Sequence, residues 1–110
     1  MSQHHVRLEC KKAGGPVCVQ LGWDKPMAEF YLVVFTDPGD DKSKDEELVY
    51  SNLNDPRAAG QGLDYFKMIA KDLGCEVPDS MWAAAYQDRE FNIVNKVVFY
   101  SPAGNVIEPE

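Results

Sequence analysis

The side chains able to do chemistry are few and scattered. Histidine is the usual general base near neutral pH, because its charge changes there without further tuning. This 110-residue chain has only His4 and His5, beside its first residue. Read from the sequence, they are flexible terminal histidines, a poor base and a poor metal site. A serine-type triad therefore lacks its base. A carboxylate mechanism would have to draw on Asp24, Asp55, Asp64 or Asp88, and no spacing pairs two of them as acid and base. Cys10, Cys18 and Cys75 form no Cys-x-x-Cys pair, so neither a zinc site nor a thioredoxin-like motif is spelled out. Cys75, directly after Gly74, reads as structural rather than nucleophilic. No Walker loop is present, no Gly-x-Gly-x-x-Gly follows a strand, and Gly60-x-Gly62 lacks the lysine that would follow a phosphate cradle. The expectation is a protein with no catalytic residues, no metal and no cofactor.

Two surfaces remain as binding candidates. The first is the stretch from Asp37 to Glu47, which holds six acids, two lysines and almost nothing apolar. It is expected to be a mobile acidic loop over residues 37–47. Asp37, Asp40, Asp41, Asp45, Glu46 and Glu47 would let it imitate a phosphate array and enter the basic groove of a nucleic-acid-handling protein. A calcium loop fails the spacing test, because the third residue from Asp37 is Gly39 and the sixth is Lys42. The second candidate is an aromatic and asparagine patch from Trp23, Tyr50, Asn52, Asn54, Trp82 and Tyr86, residue types favoured at protein interfaces. Trp23 also reads as a core lid whose indole N–H finds a partner.

Charge narrows the partners. The formal net charge of −7 argues against nucleic acid or an anionic membrane as a direct partner, since both need a basic surface. A basic protein fits better, although acidity also serves solubility. No apolar run approaches the roughly 18 residues needed to cross a bilayer, and the first residues carry no signal-peptide pattern. A cytoplasmic location is expected. The hydrophobic share of 45% is enough for one packed domain over residues 1–110.

The elements that must position these residues follow from periodicity. Glu29 to Thr36 is a continuous apolar run that predicts a strand covered on both faces, with Phe30, Leu32 and Val34 pointing one way and Tyr31, Val33 and Phe35 the other. His5 to Lys11 and Val17 to Leu21 alternate as a hairpin at the edge of the sheet, where Lys11 and Lys12 would discourage pairing with another chain. A two-residue turn at Gly14-Gly15 would set Cys10 opposite Val19 and Leu8 opposite Leu21. Cys18 would then face away from Cys10, which predicts no disulfide. A short strand is predicted near 47–50, followed by turn chemistry through Pro56.

Asp64 is a plausible N-cap for a helix with Phe66, Ile69, Ala70 and Leu73 on one face and Gly74 as its stop. Pro78 suits the first turn of a second helix to about Glu90, whose short apolar stripes end at Asp88 and Arg89. Strands near 95–101 and 106–107 complete an α+β domain of order ββββααββ. The prediction is an antiparallel sheet of about four to six strands, with 30–35 and 97–100 central and two helices packed on one face.

Three segments recur together in a pattern that carries a resemblance: Leu21-Gly-Trp-Asp-Lys-Pro26, Tyr50-Ser-Asn-Leu-Asn-Asp-Pro56, and Leu63-Asp-x-Phe66 followed by Leu73-Gly74, Val77-Pro78, Met81 and Asn92 to Asn95. Over residues 5 to 100 the chain resembles a family of small, acidic, uncharacterised bacterial proteins. The resemblance implies a bacterial, cytoplasmic single domain and brings no chemistry with it. The functional expectation is a noncatalytic binding or regulatory domain acting on a protein partner, in its sharpest form an acidic inhibitor that mimics nucleic acid. The alternative is a small-molecule-binding protein or a carboxylate-based enzyme.

Overall fold

Six strands and two helices form in the computed structural model, which describes residues 2–37, 47–93 and 95–107. Strict alternation makes β1 (Ser2–Cys10), which buries Ser2, His4, Val6, Leu8 and Cys10 and turns Gln3, His5, Arg7 and Glu9 the other way. β2 (Gly15–Asp24) repeats the pattern with Val17, Val19, Leu21 and Trp23, and β3 (Glu29–Thr36) with Phe30, Leu32 and Val34. β4 (Leu48–Ser51), α1 (Leu63–Leu73), α2 (Asp79–Glu90), β5 (Lys96–Tyr100) and β6 (Val106–Ile107) follow. The element order is the expected ββββααββ.

The strand order is β4-β3-β2-β1-β5-β6. This corrects the expectation about which strands are central. The N-terminal hairpin forms the middle of the sheet, while β3 and β5 each lie one strand in from an edge. The two helices carry the chain from the β4 edge across the sheet, and β5 enters beside β1 in the same direction. That pair is parallel and the other four are antiparallel.

The hairpin register also differs from the two-residue turn. Cys10 lies opposite Gly15, Leu8 opposite Val17 and Val6 opposite Val19, with residues 11–14 as the turn. Gly14 adopts φ 74°, and its N–H reaches the Cys10 and Lys11 carbonyls. The shift is by an even number of residues, so the apolar set keeps its face. Cys10 and Cys18 accordingly stand on opposite faces, and no disulfide joins any of the three cysteines.

Both helices pack on one face. α1 buries Phe66 and Ala70, and α2 buries Met81, Trp82, Ala85 and Asp88 against Val19, Leu21, Leu32 and Val34. Fully burying one such side chain contributes about 1.5–3 kcal/mol, so this one seam holds most of the fold. Gly62, not Asp64, sits at the N-cap of α1; Asp64 lies in the first turn, where its charge still meets the helix dipole. Gly74 ends α1 at φ 79°, as expected. Pro78 is the N-cap of α2 rather than part of its first turn.

The Tyr50-to-Pro56 segment proves to be a tether. Asp55 Oδ2 accepts from Tyr50 at 2.8 Å and from Tyr65 at 2.6 Å, which ties β4 to α1. Ser51 Oγ accepts from the Leu53 N–H and caps the short 3-10 turn Asn52–Asn54. The two phenol bonds hold the Asp55 carboxyl below the usual range.

The other face of the sheet has no second layer among the described residues. The shortest dimension of the molecule is 21 Å, which is two layers of about 10 Å each. β3 was expected to be covered on both sides, and this is a correction: Tyr31 is buried under neighbouring strands, but Val33 and Phe35 are only half-buried. No helix among the described residues is long and apolar enough to cross a membrane.

Candidate functional site: the helix-free face of the sheet

Strand pairing sets side chains in rows across this face. In one row Leu48, Phe35, Cys18 and Arg7 are successive neighbours on β4, β3, β2 and β1. In the next, Ser51, Val33, Gln20, His5, Phe99 and Ile107 run from β4 to β6. Val97 lies beside Gln3 one step further along. Phe99 stacks on the His5 ring with centroids 5.0 Å apart and planes 20° apart. A groove of about 450 Å³ opens here, lined chiefly by His5, Arg7, Cys18, Phe35, Phe99 and Ile107.

The alternation of β3 and β5 supplies hydrophobic residues to both sides of the sheet, whereas the described helices pack on only one. Val97, Phe99 and Ile107 remain 55%, 41% and 49% exposed. The polar groups among them are held by each other. Tyr31 donates to the Ser2 carbonyl at 2.6 Å and accepts from Gln20, His5 Nε2 donates to Gln3 Oε1, and Arg7 pairs with Asp37. Burial and the neighbouring His4 lower the His5 pKa, so the imidazole is uncharged at neutral pH.

Titratable chemistry lies on the helix side instead. His4 was read as a flexible terminal residue, and this is overturned: it sits within β1 with no exposure at all. Its Nε2 donates to Asp88 Oδ2 at 2.5 Å, and its Nδ1 accepts from the Tyr100 hydroxyl at 2.9 Å. Lys96 donates to the other Asp88 oxygen at 3.3 Å. A neutral imidazole with its proton on Nε2 satisfies every one of these partners, and desolvation lowers the His4 pKa despite the opposing pull of Asp88. The set resembles a relay in its ordering, but His4 and Asp88 are sealed from solvent, and the arrangement is a satisfied polar core.

Cys75 faces Cys10 across an isolated bridge, and Cys10 donates to the Leu73 carbonyl. Burial, and then Cys10, push the Cys75 thiol up to about 12, far from the thiolate a nucleophile needs. Among the described residues no three His, Cys, Asp or Glu side chains gather as a metal site. One further recess of about 590 Å³ is lined by Trp23, Glu29, Phe30, Gly60, Gln61, Gly62 and Arg89. The Trp23 Nε1, which the sequence expected to find a partner, is buried without one.

The residues singled out from the sequence do not come together. Trp23 and Trp82 are core residues at 8% and 5% exposure, and Tyr50 is half-buried and engaged with Asp55. Asn52 and Asn54 belong to the 3-10 turn, and Tyr86 stands exposed on α2 with the Arg89 guanidinium 5.5 Å from its ring. Of the acidic stretch, Asp37 pairs with Arg7 and Glu47 is exposed beside Thr36, with which it exchanges backbone and side-chain bonds. Asp40, Asp41, Asp45 and Glu46 lie outside the described residues. The bare face itself was missed, although its signal was present: Val33 and Phe35 on one strand, with Val97 and Phe99 on another, need a second apolar layer that the chain's two amphipathic helices cannot also provide. No family model, curated protein or solved structure matches the chain.

Proposed function

We propose that this protein is a noncatalytic binding domain that docks a protein partner through the helix-free face of its sheet. One observation supports this reading above the rest. Phe35, Cys18, Phe99 and Ile107 line one groove, with Val33 and Val97 exposing further apolar surface on the same face, and the described helices lie on the other side of the sheet. Monomeric proteins rarely leave such a patch open unless something binds there. Buried aromatic anchors carry much of the energy in protein association, and Phe35 and Phe99 flank the groove from its two sides.

The test is affinity capture with the parent, Phe99→Asp and Tyr86→Ala. Phe99 is already 41% exposed, so its replacement should leave the fold in place, which a thermal melt checks. The expected outcome is capture of the same partner by the parent and by Tyr86→Ala, with at least about a tenfold loss for Phe99→Asp. Loss with Tyr86→Ala alone would move the site to the aromatic surface of α2. Equal capture by all three would overturn the reading.

A further inference from the structure

We infer that the partner presents a basic amphipathic helix, which lies across the bare face with its apolar stripe on Phe35, Phe99 and Ile107. This rests on the docking function proposed above. Outside the described part lie Met1, 38–46, Val94 and 108–110, whose only apolar residues besides prolines are Met1 and Val94. The opposite face shows what this sheet accepts, since α1 and α2 seat their apolar stripes on it. A helix is about 10 Å across and strands are about 4.8 Å apart, so one helix spans two strands and fits the groove between β3 and β5. Its addition completes the helix–sheet–helix layering that an apolar sheet face requires.

Charge selects a basic helix over an acidic one. The charged side chains that strand alternation places on this face are Glu9, Asp24 and Glu29 against the single cation Arg7, which already pairs with Asp37 just beyond the end of β3. Asp24 lies opposite Glu29 where β2 and β3 end, so two acids meet at that end of the face. Apart from Arg7, neutralised by Asp37, the groove is uncharged, and the ends of the strands carry Glu9, Asp24 and Glu29, on a chain of net charge −7. Lysines and arginines flanking an apolar stripe would meet those ends, whereas a second copy would bring the same acids against them.

Two synthetic peptides of about 18 residues separate the possibilities, both with leucines at i, i+3, i+4 and i+7 and flanked in one case by lysine and in the other by glutamate. Binding is read by fluorescence anisotropy at low and high salt, beside sedimentation of the protein alone. The lysine peptide should bind at least about tenfold more tightly at low salt, with the difference shrinking as salt rises. Phe99→Asp should weaken it by at least about tenfold, and the pair Glu9→Gln with Asp24→Asn should weaken it by severalfold while leaving the melt unchanged. Equal binding of both peptides, or binding indifferent to Phe99→Asp, would overturn the inference. So would a dimer that Phe99→Asp dissolves, which would give the face to a second copy. If Phe99→Asp loses the captured partner yet neither peptide binds, the docking function stands and the helical occupant falls. If capture is unaffected, the docking function itself falls.

Discussion

At the scale of single residues, Gly22 shows how one position admits a whole strand. The Ser2 carbonyl lies where a β-carbon on residue 22 would stand, and the same Ser2 is fixed from two sides, by the Trp23 N–H to its Oγ and by the Tyr31 hydroxyl to its carbonyl. Gly22 pairs with Tyr31 across β2 and β3, so the missing side chain leaves room for both Ser2 and the phenol that holds it. Gly22→Ala should cost about 1–3 kcal/mol, because the obstacle is backbone and cannot rotate away. Gly15→Ala, with nothing near its β-carbon, should change stability by less than about 0.5 kcal/mol. Urea unfolding of the two variants checks the contrast. The Leu21-to-Pro26 segment thus has a structural use at its second residue.

At the scale of elements, β3 has one sealed face and one half-open face, and the two should respond differently to charge. Leu32 is fully buried against the helices, while its neighbour Val33 lies half-buried on the bare side. Leu32→Asp would put an unpaired carboxylate among apolar groups and should cost about 3–5 kcal/mol. Val33→Asp keeps its charge near water and should cost about 1 kcal/mol. Equal losses in thermal or urea melts would mean that a layer covers both faces. The sequence showed β3 as a strand, since an eight-residue run that is apolar from Phe30 to Phe35 and stops at Asp37-Pro38-Gly39 suits no helix, but such a run looks the same whether its second face is buried by its own chain or reserved for another.

At the scale of the molecule, two imidazoles link stability to pH. Folding lowers the pKa of His4, chiefly by burial, and of His5 for the same first reason, so the unfolded chain binds protons that the folded one refuses. The sign follows: stability is fully present above the unfolded value of about 6.5 and is lost as pH falls below it. As pH falls below about 6.5 stability should decline, with the larger share from His4, which is fully buried, and the smaller from the partly exposed His5. Melts of the parent and of His5→Gln measure the total and the His4 share. Nitrogen chemical shifts should show His4 neutral with its proton on Nε2 at pH 6. A His4 that titrates at its ordinary value would overturn its place as a neutral, buried partner of Asp88 and Tyr100.

The sequence by itself determined the elements and their layering: which segments are strands, where the helices run, and that both helices share one face. These are readable because side-chain periods of 2 and 3.6 are local properties of the chain, as are the left-handed stop at Gly74 and the turn residues after Tyr50. Only the tertiary structure decided the strand order, and with it the fate of His4. Residue 4 looks like a loose end until β1 is inserted between β2 and β5, which places it in the middle of the sheet. Asp88 looks like the polar end of a short stripe on α2. It turns inward because His4, 84 positions away, and Lys96 on β5 provide its partners. A buried polar group is paid for by neighbours that only folding assembles, and the bare apolar face exists because both described helices pack on the other side.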